Sequence, residues 1–191
     1  MKLEGAEGTR ATDQQQLLLV DEHDQFSGQY VTRGPAHTGA GHHHRAFVCL
    51  VIDHGGRVLL QLRQHWLWDR LWDLSAVSHP LHLGGHDETY EEAAARAMQA
   101  EMGITGAGIR KLGGFNYFAQ HFDGIGCENE YCAILVARSD DEPAANPEAV
   151  YEHRWVGLAD FKNEVEARPE VFTPWARLTV ETLVNDGSWE G

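Results

Sequence analysis

The apolar and polar positions alternate in a few distinct rhythms along the chain. Residues 1–15 are polar, rich in Gly and Thr and without a period, which predicts a loosely attached or disordered tail. "LLLVDEHD" then reads as a short strand running into a turn. In "AFVCLVIDHGGRVLLQLR" two apolar, β-branched runs flank Asp53, His54, Gly55 and Gly56, the pattern of a β-hairpin. "QHWLWDRLWDLSAVSHP" predicts an aromatic-walled loop entering a short strand that ends at Pro80. The clearest helix runs from about Glu88 to Met102: Asp87 offers an N-cap, Glu88, Glu91 and Glu92 complement the positive end of the dipole, and Gly103 stops it.

"GIRKLGGFNYFAQ" and "ENEYCAILVARS" predict two strands joined by "HFDGIGC". After the polar connector "DDEPAANPE" comes one more strand, "AVYEHRWVGL". Two helices close the chain, "LADFKNEVEA" and "FTPWARLTVETLVND", the second capped by Thr173 with Pro174 in its first turn. The order predicts one domain over residues 16–191, an α/β (α+β) sandwich with helices packed on a mixed sheet.

Composition narrows the partners. Among 191 residues, 29 are Asp or Glu and 15 Lys or Arg, a formal charge of −14. Such a field repels phosphate backbones and anionic headgroups, so neither nucleic acid nor a membrane is expected as a partner, and a small-molecule substrate is. An anionic substrate then needs a bound cation or a local Arg cluster. Three cysteines in no framework spacing fit a reducing cytoplasm. The N-terminal segment has no apolar leader, and no stretch approaches the ~18 apolar residues of a membrane span, which predicts a soluble, unprocessed chain.

The chemistry-bearing residues are spread widely. Glu128 and Glu130 sit two apart in a strand pattern, so their carboxylates share a face. The strand alone fits a solvated acidic edge; facing inward, the pair needs a cation, a shared proton or a basic partner. "AHTGAGHHHRAF" places His37 and His44 seven apart around a Gly-containing loop, and His79 precedes Pro80. Each histidine alone reads as a surface or hydrogen-bonded side chain. Together with Glu128 and Glu130 they offer a mixed N/O set suited to Zn, Mn or a similar divalent ion.

The helix after His79 keeps Glu88, Arg96, Met98, Glu101, Gly103 and Ile104 at the spacing of a Nudix box, but Ala97 and Ala100 stand where that box carries carboxylates. The type I isopentenyl diphosphate isomerases are a Nudix branch that keeps only the last of those Glu residues, and this chain resembles them from about Leu17 to Leu183. The likeness rests on "LLLVDEHD" with "SGQ", "AHTGAGHHHRAF", the His-Pro of "SAVSHP", "ENEYC", "YEHRWVGLAD" and "FTPWARL", in that order.

The resemblance implies a Nudix-type α/β/α sandwich with a mixed central sheet. It implies one divalent metal (Zn, Mn or Mg) on His37, His44, His79, Glu128 and Glu130, and a Mg²⁺ at Glu101 that bridges to a prenyl or other diphosphate. Glu130 would also move the proton that shifts a double bond, with Tyr117 beside it. Trp68, Trp72 and Trp175 are candidates for a wall facing a transient carbocation, core packing being the alternative. Val77 occupies the position of the family's second catalytic group, a cysteine, and Cys127 and Cys132 are not placed to substitute for it. The diphosphate clamp is thinned: Arg63 is followed by Gln64, and Arg33 and Arg70 remain as phosphate partners. Around "LHLGGH" the chain is about four residues longer than the family. These features predict a metal-dependent isomerase acting on a non-standard substrate. Two alternatives stand beside it: a Nudix hydrolase cleaving a diphosphate linkage, and a catalytically inactive binding protein stapled by its metal.

Overall fold

In a computed structural model, which describes residues 14–105, 107–185 and 187, the polar–apolar rhythms resolve into eleven strands and four α-helices. β1 (Gln16–Val20), β2 (Phe26–Thr32) and the single-turn α1 (Arg33–Ala36) precede β3 (His44–Ile52) and β4 (Arg57–Arg63). Four short strands follow: β5 (Trp72–Leu74), β6 (Ala76–Ser78), β7 (Leu81–Leu83) and β8 (His86–Asp87). They lead into α2 (Tyr90–Met102). Then come β9 (Ala107–Gln120), β10 (Cys127–Arg138), β11 (Val150–Gly157), α3 (Leu158–Ala167) and α4 (Pro174–Asn185).

β3 is apolar without alternation because both of its faces are covered. Val48 and Leu50 pack with Ile134, Phe161, Trp175 and Val180 under α3 and α4. Phe47, Cys49 and Val51 pack with Ala93, Ala97 and Met98 of α2. The layers are therefore helix, mixed sheet, helix. β10 runs parallel to β3, the one parallel strand pair among the described residues, and antiparallel to β9. A smaller sheet of β2, β1, β7 and β8 joins the main one where Leu19 meets His44. β7 and β8 form a small hairpin within "LHLGGH", turning at Gly84 and Gly85, both at positive φ.

The expected hairpin of β3 and β4 closes only at its turn. Ile52 pairs with Val58, after which β6 pairs with β3 and β5 with β4, so a wedge separates the two strands. Ser75 stands at the apex of that wedge. Its hydroxyl accepts from the Val51 N–H at 2.8 Å and donates to the Leu59 carbonyl at 2.6 Å, serving two backbone groups that the parting strands can no longer offer each other. The wedge carries Val77 and His79 alongside the start of β3.

α2 begins two residues later than the sequence pattern predicts. Thr89 is its N-cap, accepting from the Glu92 N–H at 3.2 Å while the Glu92 carboxylate accepts from the Thr89 N–H at 2.8 Å. Asp87 instead ends β8, where it accepts from the Tyr30 hydroxyl at 3.0 Å. Gly103 ends the helix at φ +65° as expected, and Thr173 caps α4 through the Ala176 N–H. Gln15, expected in the tail, is tied to Arg33, which donates to it from both backbone and side chain. Residues 1–13 of that tail lie outside the described residues. The three cysteines are free and buried, and no helix among the described residues is long and apolar enough to cross a membrane.

Replacing Ser75 by Ala strands a buried N–H and a buried carbonyl, at a cost of about 1–3 kcal/mol. Thermal unfolding should move down by roughly 2–10 °C, whereas Ser27→Ala on the exposed β2 should stay within about 2 °C of the parent. A Ser75→Ala protein that melts with the parent would show that the wedge does not need its bridging hydroxyl.

Candidate metal centre

The register of three strands builds the centre. Glu130 on β10 pairs with His44 on β3 and with Tyr117 on β9, so the three side chains form one row across the sheet on one face. Glu128 stands two residues earlier on that face, and Cys132 and Ile134 continue it into the core. His37 follows α1, and its carbonyl accepts from the Cys127 N–H at 3.0 Å, docking the loop onto β10. Between the two histidines the chain reverses at Gly41, φ +63°. A Cβ there would stand 2.7 Å from the Ala36 carbonyl oxygen and 2.9 Å from the Cys127 sulfur, so only glycine fits.

His79 is fixed by the two box residues farthest from the metal cluster in chemistry. Arg96 donates to the His79 carbonyl at 2.9 Å and grips Glu88 through two bonds of 2.7 and 2.8 Å. Glu88 also accepts from the Leu81 N–H at 3.0 Å. The backbone on both sides of Pro80 is thereby clamped to α2 and its N-terminal approach.

Ligand-capable atoms of His37, His44, His79, Glu128 and Glu130 all lie within 4.8 Å of one another, and all five residues are buried. His37 Nδ1 faces the Arg33 carbonyl at 2.8 Å and His44 Nδ1 the His42 carbonyl at 2.7 Å. A carbonyl only accepts, so both Nδ1 atoms carry a proton and both rings turn Nε2 inward. These Nε2 atoms meet carboxylates: His37 Nε2 is 3.0 Å from Glu128 and His44 Nε2 3.3 Å from Glu130, with His79 Nε2 3.0 Å from Glu130. Burial pulls His79 well below the usual imidazole range, with the Glu130 hydrogen bond opposing it. Burial, reinforced by Glu130, pushes Glu128 well up. Burial also opposes ionisation of Glu130, but the bonds from His44 and His79 outweigh it and hold that carboxyl well down. Three imidazole nitrogens and two carboxylates converging in a buried site fit one divalent cation.

Beside the cluster lies an inner cavity of about 30 Å³, walled by Ala46, Leu67, Val77, Tyr117 and Trp175. It shares Arg33, Arg63, His65, Trp66, Val77 and Ser78 with an outer cleft of about 540 Å³. The Tyr117 hydroxyl donates to Glu130 Oε2 at 2.6 Å. Val77 is on the Glu130 face of the sheet and puts only methyl groups into the cavity. Glu101 is outside the five-residue group and lines the outer cleft, accepting from Gln61 at 2.8 Å; burial pushes its carboxyl up to about 7.

Trp68, Trp72 and Arg70 line neither cavity. Trp68, at φ +50°, turns into the core edge-on to Trp175 and His121. Trp72 lies under the Arg154 guanidinium, 4.3 Å from its ring centre, and Arg70, at φ +57°, sits over Tyr151 at 4.2 Å. Trp175 does reach the site. Cys132 lines neither cavity, and burial pushes its thiol well up. Sequence reasoning passed over Asp73, which is fully buried and accepts from the Trp175 indole at 2.7 Å, the Thr173 hydroxyl at 3.0 Å and Arg63 at 2.9 Å. Its signal was an acid set inside the apolar strand "WDL".

Comparison with known proteins gives the family and the fold. The NUDIX domain model matches residues 42–176. An isopentenyl-diphosphate Delta-isomerase of Kocuria rhizophila is 34% identical over 167 residues, covering 84% of this chain and 88% of its own. One from Haloarcula marismortui is 31% identical over 189 residues, covering 94% and 97%. Among solved structures, the Deinococcus radiodurans protein DR0079 superposes with a TM-score of 0.65 at 20% identity, covering 87% of this chain and 98% of its own. A MutT protein from Methanosarcina mazei does so at 0.60 and 17%, covering 76% and 95%; both show the fold alone. On these matches the chain belongs to the isopentenyl-diphosphate Delta-isomerase family of Nudix-fold enzymes.

Proposed function

We propose that this enzyme is a metal-dependent isomerase that moves a carbon–carbon double bond by adding one proton and removing another, on a substrate other than isopentenyl diphosphate. The observation that carries this reading is the row His44–Glu130–Tyr117 beside a cavity that Glu130, Tyr117 and Val77 line together. Glu130 would take up a proton once a divalent ion engages the His44 and His79 nitrogens that otherwise hold its carboxyl down, and pass it to the terminal carbon of an alkene in the inner cavity, while the Tyr117 hydroxyl, 2.6 Å away, orients the carboxyl and stabilises the carboxylate left behind. The face of Trp175 lines the same cavity and favours the tertiary cation that results. A divalent ion on the five residues would hold Glu130 in place and modulate its acidity. Valine cannot accept the second proton, so the neighbouring C–H is relieved of it by water or by a basic atom of the substrate itself. That requirement sets the substrate apart from one whose isomerisation needs a thiol at position 77.

Glu101 and the exposed Glu148 are the carboxylates of the outer cleft, and Ala97 is packed against the sheet. Nudix hydrolysis, which relies on several clustered carboxylates to hold its ions, has little to work with here. No phosphate release is expected across a panel of diphosphates.

Incubated with the metal-loaded protein in D₂O, isopentenyl diphosphate should gain deuterium at least 1,000-fold more slowly than relatives carrying the thiol allow, a cost of about 4 kcal/mol in barrier. Turnover at their rate contradicts the role given to Val77. On any substrate the enzyme does accept, Glu130→Gln should abolish exchange, and full activity of that variant rules out Glu130 as the acid.

Chelation provides an independent check on the cation. Stripping a metal held at about 100 times its Kd removes roughly 2.7 kcal/mol, so the melting temperature should fall by about 5–10 °C and recover on adding Zn²⁺, Mn²⁺ or Mg²⁺. An unchanged melting curve contradicts a bound metal.

A further inference from the structure

Asp73 is fully buried and lines neither cavity, yet it touches two of the side chains that wall the inner one. Oδ1 accepts from the Trp175 indole N–H at 2.7 Å, the Leu74 N–H at 2.8 Å and the Thr173 hydroxyl at 3.0 Å. Oδ2 accepts from Arg63 Nη1 at 2.9 Å. Burial pushes the carboxyl up, and the Arg63 charge and these bonds oppose it. The indole, the backbone N–H and the guanidinium can only donate, so a carboxylate suits this position and a protonated acid brings a donor too many. Tying β5 to β4 and α4 does not by itself call for a charge, since a buried ion pair is often replaceable by packed neutral side chains.

The charge matters for what faces the cavity. The Arg63 guanidinium lies over the Trp175 ring, 5.1 Å from its centre, and both side chains line the inner cavity. A cationic carbon formed against that ring meets a guanidinium already beside it, and like charges this close in a water-poor site repel strongly. Asp73 offsets that guanidinium. Through the indole N–H it also polarises the ring toward its face, which strengthens the attraction for a cation. Arg33, Glu128, Glu130 and a divalent ion on the five-residue cluster act on the same cavity, with Glu101 and Glu148 farther out. They set the field that any occupant meets. Whatever that field, loss of Asp73 makes the surroundings of Trp175 more positive by one charge.

Resting on the isomerase reading, we infer that Asp73 adapts the inner cavity to a positively charged carbon, by cancelling the Arg63 charge beside Trp175 and fixing the ring through its indole N–H. Asp73 acts through those two side chains and is a positioning residue.

Two probes of one shape that differ by a single charge test this: phosphocholine, and 3,3-dimethylbutyl phosphate, in which carbon replaces the quaternary nitrogen. Calorimetric titration of the metal-loaded protein with each gives a ratio of affinities, ammonium over carbon. The phosphate is common to both probes, and the other charges of the site are common to parent and variant, so a change in the ratio reports the substituted residue. The parent should favour the ammonium probe. Asp73→Asn, which keeps an oxygen for Trp175 and Thr173, should lower the ratio about fivefold, and Arg63→Gln, which keeps an N–H for Asp73, should raise it by about as much. A purely structural Asp73 weakens both probes together and leaves the ratio where it was. If one variant fails to fold, the sign of the change in the other decides. A ratio that does not move, a parent that favours the carbon probe, or binding of neither probe overturns the inference. Deuterium exchange in an accepted alkene with an unmoved ratio leaves the isomerase standing and overturns the role of Asp73; a ratio that moves as stated without exchange in any alkene supports that role and contradicts the isomerase.

Discussion

Three imidazole nitrogens that converge on two buried carboxylates need a cation or a shared proton between them. His37 and His44 are oriented this way by backbone carbonyls, those of Arg33 and His42, and so by local chain geometry and not by the acids they face. A cation between them would turn repulsion into coordination. Much of the surrounding structure supports that requirement: Gly41 permits the reversal between the two histidines, the β3–β10 register puts His44 opposite Glu130, and the Glu88–Arg96 pair holds the carbonyl of His79. The Nudix box, stripped of its carboxylates at Ala97 and Ala100, keeps in Glu88 and Arg96 a positioning role.

The site has two halves with different degrees of departure from the family pattern. On the sheet side, Glu130 accepts from the Tyr117 hydroxyl and belongs to the five-residue cluster. On the wedge side, Val77 has no proton to move, and Asp73 pairs with the Arg63 that lines both cavities. The wedge that carries Val77 is bridged at its apex by Ser75, apart from the metal cluster.

Much of this was legible in the sequence, for identifiable reasons. Long periodic segments such as α2, and strands covered on both faces such as β3, carry strong local signals. The glutamate pair shares a face by the two-residue period alone, while its convergence with three histidines depended on family likeness. What escaped were features set by tertiary competition. Thr89 captured the cap from Asp87 because a reciprocal Glu92 completed the box, and Asp87 was taken by Tyr30. The hairpin opened because the β5–β6 segment, unremarkable in sequence, pairs with both of its strands. Trp68 and Arg70 sit at positive φ, which redirects side chains in a way no spacing argument anticipates, and Trp72 is covered by Arg154 from a strand some eighty residues away. Asp73 is the instructive omission: an acid within an apolar run has to be paired, and its partners lie on β4 and α4.

The central claim is that one divalent cation sits among His37, His44, His79, Glu128 and Glu130. Element-resolved anomalous scattering from crystals of the purified protein measures this directly. The predicted result is a single peak at about 2.0–2.2 Å from the three imidazole nitrogens and the two carboxylates. No peak there after soaking with Zn²⁺, Mn²⁺ or Mg²⁺ analogues, or a peak held by other residues, would contradict it.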